Sequence, residues 1–187
     1  MSTPFLIYVP FLIYYYMSRK RSCKDSGQSA EIIHGLIDKI SPGIMGSVRA
    51  RDPHIGFPEI DMEYTLSNRD IVRMSFISDS NDEMTRECEL RWWVTLYIGP
   101  RKNRDVNVDG LQTGRVGLTG LHVAMQMIIY FILGFMKPGQ SVFVAGADGR
   151  RFRVYKHYLS RMGFRQTRYM GEPAMMFTVP LGYKPAI

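Results

Sequence analysis

A turn rich in glycine, residues 114–120, carries the clearest chemical signal in the chain. An almost wholly apolar run follows it as far as residue 136. The first turn of a helix leaves backbone N–H groups unpaired, and glycine lets such backbone approach a ligand closely. The sequence therefore predicts a site for a phosphate or diphosphate, built from Gly114, Arg115, Val116, Gly117, Thr119 and Gly120. The alternative is a plain loop into a buried helix, with glycines at positions of positive φ.

Other reactive side chains lack the spacing that a metal or nucleophile site needs. The four histidines show no i, i+4 pairing and have no cysteine nearby to complete a zinc set. Cys23 and Cys88 form no paired motif, which favours a reducing compartment and a cytoplasmic location. No Gly-x-Ser-x-Gly elbow occurs. The sequence therefore predicts no metal centre.

Hydrophobic periodicity predicts the elements that position the glycine turn. Upstream lies an antiparallel meander of three strands, near 59–66, 71–78 and 87–98, and the first alternates strictly between apolar and polar residues. Downstream come a buried helix over 118–136, a strand over 141–145, a basic amphipathic helix over 150–162, and strands over 164–169 and 174–179. A shorter amphipathic helix is predicted over 29–40.

This order of elements resembles the GNAT-type N-acetyltransferase superfamily over residues 55–180. The runs 113–115, 145–151 and 153–164 look like small phage-encoded proteins of that superfamily. The resemblance implies an α/β (α+β) fold with a mixed, mostly antiparallel twisted sheet and helices on both faces. It also implies acetyl-CoA as the substrate, an unknown amine as the acceptor, and the host cytoplasm as the location if the protein is phage-encoded.

The glycine turn departs from the superfamily pattern. That pattern places Gln or Arg, two residues, Gly, one residue, and Gly or Ala, and its N–H groups bind the pyrophosphate of acetyl-CoA. Aligned on Gly117, this chain has Gly114 and Thr119 at the outer positions, with Arg115 one place late. The middle glycine is the position that fits.

The resemblance further implies a tyrosine four residues before a Gly-Phe pair, where it protonates the departing CoA thiolate. Leu159 stands at that position. Tyr155 and Tyr158 are the nearby candidates, and their place in the apolar stripe of the helix also predicts core residues.

Direct transfer from a thioester to an amine implies a carboxylate that deprotonates the amine. Glu87 and Glu89 alternate with Trp92 along the third meander strand, so either can line a cleft. Both also suit an ordinary solvated strand face.

Positive charge is concentrated beyond the glycine turn. The chain has 24 Lys and Arg against 17 Asp and Glu, a net charge of +7. Residues 147–169 hold one acid, Asp148, and the bases Arg150, Arg151, Arg153, Lys156, Arg161, Arg165 and Arg168. Such a cluster attracts CoA phosphates, nucleic acid or an anionic surface, whereas charge runs are usually solvated helix faces. No nucleic-acid-binding signature accompanies it, so nucleic acid is disfavoured as a partner.

Residues 1–25 form a separate tail in which an apolar, aromatic run over 4–17 precedes a basic stretch. As a helix this run reaches about 21 Å, short of a bilayer core of about 30 Å. It predicts either peripheral membrane contact through residues 4–17 or an extension ahead of a translation start at Met17. Residues 26–187 are long enough for one domain.

Three functions remain open from the sequence. The first is an acetyl-CoA-dependent N-acyltransferase with an unknown acceptor. The second is a noncatalytic phage-type protein of the same fold that acts in virion assembly or host interaction. The third is a membrane-associated accessory protein.

Overall fold

The computed structural model describes residues 35–36, 39, 41–45, 49–51, 59–78, 90–100, 117–146, 149–169 and 171–183. The strands in these ranges are β1 (Arg49–Arg51), β2 (Glu59–Thr65), β3 (Asp70–Ser78), β4 (Arg91–Pro100), β5 (Ser141–Ala145), β6 (Arg165–Tyr169) and β7 (Glu172–Thr178). The helices are α1 (Pro42–Met45), α2 (Gly117–Gly134) and α3 (Gly149–Ser160).

The strands form one mixed sheet in the order β1-β2-β3-β4-β5-β7-β6. Neighbouring strands are antiparallel everywhere except between β4 and β5, which are parallel. The predicted α+β class and mostly antiparallel sheet are thus confirmed. The edge strand β1 was not predicted, because three residues are too few to show a period of two.

The hairpin of β2 and β3 confirms the first part of the predicted meander. Met62 of β2 pairs with Met74 of β3, and both side chains are buried on one face. On the other face Asp61 accepts hydrogen bonds from Arg73 and Ser75. Alternation of apolar and polar residues in β2 therefore separates a core face from a polar face.

Helix α2 lies on the face of the sheet that carries Phe76 and Trp92, which we term the helical face. Phe131 is fully buried, stacks on Phe76 with ring centroids 3.9 Å apart, and meets Trp92 edge-on at 5.1 Å. This packing confirms the predicted buried helix. Among the described residues, no helix combines the length and hydropathy required to cross a bilayer.

The described helices all pack against the helical face, so the described part of the chain lacks the helical layer expected on the opposite face. Leu159 and Met162 at the end of α3 join the same buried core as α2. The reason is topological. The crossovers from β4 to β5 and from β5 to β6 advance in the same direction along the sheet. Right-handed connections then place both helices on one side.

Element boundaries differ from the predictions by a few residues. Helix α2 ends at Gly134, two residues early, because the Met136 N–H bonds back to the Phe131 carbonyl. Strand β4 extends through Pro100. Proline has no backbone N–H to donate to a neighbouring strand, which explains its position at the end of β4. Gly163, predicted to end α3, has a φ of 87°. Of the helix predicted over 29–40, the described Leu36 is helical and buried in the core.

Candidate functional site

The parallel strands β4 and β5 stay together over a short distance only. Their paired residues are Arg91 with Ser141, Trp92 with Val142, and Trp93 with Phe143. Strand β4 continues for seven residues beyond Trp93, still paired with β3 as far as Pro100. The sheet therefore opens between β4 and β5 toward the carboxyl ends of both strands.

Backbone groups face this gap from both sides. Ser141 N–H bonds to the Leu90 carbonyl, so even-numbered residues of β4 turn their backbone toward β5. Leu96 therefore points its N–H and C=O at the gap, and Ala145 does so from β5. No described strand pairs with Leu96 on this edge. Such an edge accepts an extended amide-bearing ligand as it accepts another strand.

The N-terminus of α2 lies at the open end of the gap. Helix α2 connects the end of β4 to the start of β5, so it runs antiparallel to both strands and begins at their carboxyl edge. Helix α3 begins at the same edge, directly after β5. Gly146 in this connection allows close approach, since a Cβ atom there would lie 2.7 Å from the backbone nitrogen of Phe152. The first turns of two helices thus lie at this edge of the sheet, near the open end of the gap.

The structure describes half of the predicted anion-binding turn. Gly117, Thr119 and Gly120 form the first turn of α2, where the Thr119 side chain is exposed and Gly120 is buried. The other predicted residues lie outside the described ranges, namely Gly114, Arg115 and Val116. The predicted carboxylates Glu87 and Glu89 also lie outside them.

The tyrosines of α3 lie in the stripe of the helix that faces the core. Tyr155 and Tyr158 are half-buried and pack against the core, as the apolar stripe of the helix predicts. Leu159 is fully buried in that core. Leu159, at the position where the sequence resemblance implies a proton donor, is therefore a packing residue.

The basic side chains beyond the turn are largely exposed. Arg150, Arg153 and Lys156 are exposed on α3, Arg161 is exposed just past its end, and Arg165 and Arg168 are exposed on β6. An ion pair between Arg73 and Asp61 lies outside this cluster. The result is a positive surface around α3.

A pocket of about 450 Å³ lies between α2 and α3. It was not predicted from the sequence. The lining residues that the structure describes are Lys39, Leu118, Leu121, His122, Met125, Gln126, Ile129, Tyr158, Arg161 and Met162. The available signal was the pair of polar residues, His122 and Gln126, within the apolar run of α2.

Gln126 fixes the wall of this pocket. Its side chain is 4% exposed, accepts a hydrogen bond from the Ser41 N–H at 2.8 Å, and donates one to the Lys39 carbonyl at 2.8 Å. Lys39 in turn donates from Nζ to the Arg161 carbonyl at 2.6 Å. The segment before α1 is therefore tied to both long helices.

The opposite face of the sheet carries a buried tyrosine. Burial raises the pKa of the Tyr97 hydroxyl above 10.0, and the negative charge of Asp70 raises it further. The hydroxyl donates to the Pro100 carbonyl at 2.6 Å. Tyr97 therefore stays neutral in the folded protein at ordinary pH.

Comparison of the chain with protein-family models, curated proteins and solved structures finds no match. Within the described ranges, no three His, Cys, Asp or Glu side chains are placed to share a metal ion. The functional argument therefore depends on the strand gap, the helix N-termini and the pocket.

Proposed function

We propose that this chain is an acyl-CoA-dependent N-acyltransferase of the GNAT type, acting on an amine of unknown identity. The observation that carries the proposal is the divergence of β4 and β5 with the α2 N-terminus at its open end. The order of elements supports it as well. It comprises an antiparallel meander, a helix, a parallel strand, a helix followed by Gly163 and Phe164, and a closing hairpin.

In this proposal the strand gap holds the extended arm of acyl-CoA. The amides of the arm pair with the backbone of Leu96 on β4 and of Ala145 on β5, as an added strand pairs with a free edge. The diphosphate lies against the first turn of α2, where unpaired N–H groups and the positive end of the helix dipole favour an anion. Arg115, predicted to lie just ahead of this turn, adds a charged donor.

The reaction is a direct acyl transfer. The neutral amine attacks the thioester carbonyl carbon, a C–N bond forms, the C–S bond breaks, and the thiolate leaves with the electron pair. The amine proton passes to a base, for which Glu87 and Glu89 remain the sequence-based candidates. The thiolate is then protonated by solvent, because Tyr155 and Tyr158 pack against the core.

One observation favours the noncatalytic alternative. Leu159 occupies the position of the expected proton donor and is fully buried. A protein of this fold without that donor would bind acyl-CoA and transfer slowly, or would serve in assembly or host interaction without turnover.

Calorimetric titration of the full chain with acetyl-CoA tests the proposal. We expect saturable binding that is weakened about ten- to hundredfold by Arg115→Ala, because a hydrogen bond to a charged group contributes about 1.5–3 kcal/mol. The matched control is Arg168→Ala, an exposed arginine on the edge strand β6. Absence of binding would contradict the acyltransferase proposal. Binding without release of CoA across a panel of amines would favour the noncatalytic alternative.

Amide hydrogen exchange locates the arm. The Leu96 amide faces the gap, whereas the neighbouring Thr95 faces β3 opposite Ser75. Saturating acetyl-CoA should slow exchange at Leu96 at least about tenfold and leave Thr95 unchanged. Equal effects at both amides would show that the ligand does not lie in the gap.

A further inference from the structure

The floor of the pocket between α2 and α3 is apolar. Leu121, Met125 and Ile129 of α2 face Met162 beyond the end of α3. Met125, Ile129 and Met162 are each less than 10% exposed. The volume of about 450 Å³ lies in the range of small-molecule sites, and the two methionines let the walls adapt to a ligand.

The rim of the same pocket is positive. Lys39 and Arg161 are exposed there beside His122, and no acidic side chain is among the lining residues that the structure describes. The Arg161 guanidinium and the Tyr158 hydroxyl have no hydrogen-bond partner among the described residues. Lys39 donates to the Arg161 carbonyl, one residue past the end of α3, where a positive charge is favoured by the helix dipole.

We propose that this pocket binds an amphiphilic anion, with a single aliphatic chain on the apolar floor and a carboxylate or phosphate head at the cationic rim. The aliphatic chain of the ligand would exclude water from the apolar floor of the pocket. The head would pair with Arg161 and Lys39 and accept a hydrogen bond from Tyr158. Leu118, 71% exposed at the edge of the pocket, extends the apolar surface toward solvent.

The inference is independent of the acyltransferase proposal. None of the described lining residues of the pocket belongs to a strand, whereas the strand gap lies between β4 and β5. Each site can therefore be tested while the other is empty.

Calorimetric titration of the full chain with dodecanoate, below its micelle concentration, tests the proposal. Dodecyl phosphate separates a phosphate head from a carboxylate head, and dodecan-1-ol is the neutral match. We expect one equivalent of an anion to bind and the alcohol to bind at least about tenfold more weakly, because it lacks charge-assisted hydrogen bonds. Failure of both anions to bind, or equal binding of the alcohol, would overturn the proposal.

A pair of charge reversals places the head group. Arg161→Glu removes a rim cation and should weaken dodecanoate binding about tenfold or more. Arg153→Glu makes the same charge change at an exposed position of α3 that does not line the pocket, and should change binding by less than about twofold. Equal losses would show a general charge effect and would overturn the assignment.

Two further measurements locate the aliphatic chain of the ligand. Leu121 is half-buried in the pocket wall, so Leu121→Trp fills the pocket and should abolish dodecanoate binding. Thermal unfolding checks that this variant folds. If that variant does not fold, the two charge reversals still decide. Saturating acetyl-CoA should leave dodecanoate affinity within about twofold. Competitive displacement would place both ligands in one site and would overturn the inference of a second one.

Discussion

Removal of the Phe131 ring tests whether α2 is seated on the sheet as described. The ring stacks on Phe76 of β3 with the planes 9° apart and meets Trp92 of β4 edge-on. Because Phe131 is 0% exposed, Phe131→Ala loses the transfer free energy of the ring and also leaves a cavity. Such substitutions cost about 3–5 kcal/mol. The three lost ring contacts, with Phe76, Trp92 and Phe135, place the expected cost at about 4–5 kcal/mol.

Urea unfolding followed by tryptophan emission measures this cost directly. The chain has two tryptophans, and Trp92 touches the mutated ring. At about 2–4 °C per kcal/mol for a domain of this size, the melting temperature should fall by about 8–20 °C. The control is Leu118→Ala in the same helix, 71% exposed, which should change stability by about 0.5 kcal/mol or less. A loss below about 1.5 kcal/mol for Phe131→Ala would refute the described packing.

Two further predictions follow from buried polar groups. Gln126→Met removes two hydrogen bonds, to the backbone of Lys39 and of Ser41, and should lower the free energy of unfolding in urea by about 1–3 kcal/mol. The control, Gln166→Met on the exposed strand β6, should lower it little. Equal losses would contradict the anchoring role of Gln126. For Tyr97, burial and a nearby carboxylate raise the pKa, so the unfolded chain releases the proton first. Stability is then full below 10.0 and is lost as pH rises through the folded-state pKa. Urea unfolding between about pH 9 and 11.5 should show this loss in the wild type and a smaller one in Tyr97→Phe, and parallel pH curves would contradict it.

Local patterns predicted most elements because each element has its own period. Strand β5 was placed at 141–145 by a short β-branched and aromatic run between turn residues, and its observed bounds are Ser141–Ala145. Helix α3 was placed by the stripe that includes Leu159 and Met162, both of which are buried. The order of the strands in the sheet is harder to predict from the sequence, because strand pairing joins residues that are far apart in the chain. The placement of α2 and α3 on one face is a property of sheet order, which periodicity does not encode.

The candidate sites also differ in how far the sequence predicts them. The first turn of α2 was visible as a glycine-bearing start of an apolar run. The gap beyond Trp93 could not be predicted from the sequence. Strand β4 keeps the residue alternation of a fully paired strand, although β5 no longer pairs with it beyond Trp93. The pocket was also hidden, because it is formed by the lateral placement of two helices. His122 and Gln126 marked its position without indicating a cavity.

The junction between β4 and β5 is the shortest ladder between interior strands of the sheet, with three residue pairs. It divides the sheet into a four-stranded panel and a three-stranded panel, each with its own complete pairing. The angle between the panels can therefore change by bending at three residues, while the hydrogen bonds within each panel stay intact. A molecule wedged between the panels would set that angle, and α2, which is stacked on Phe76 of the four-stranded panel, would move with that panel.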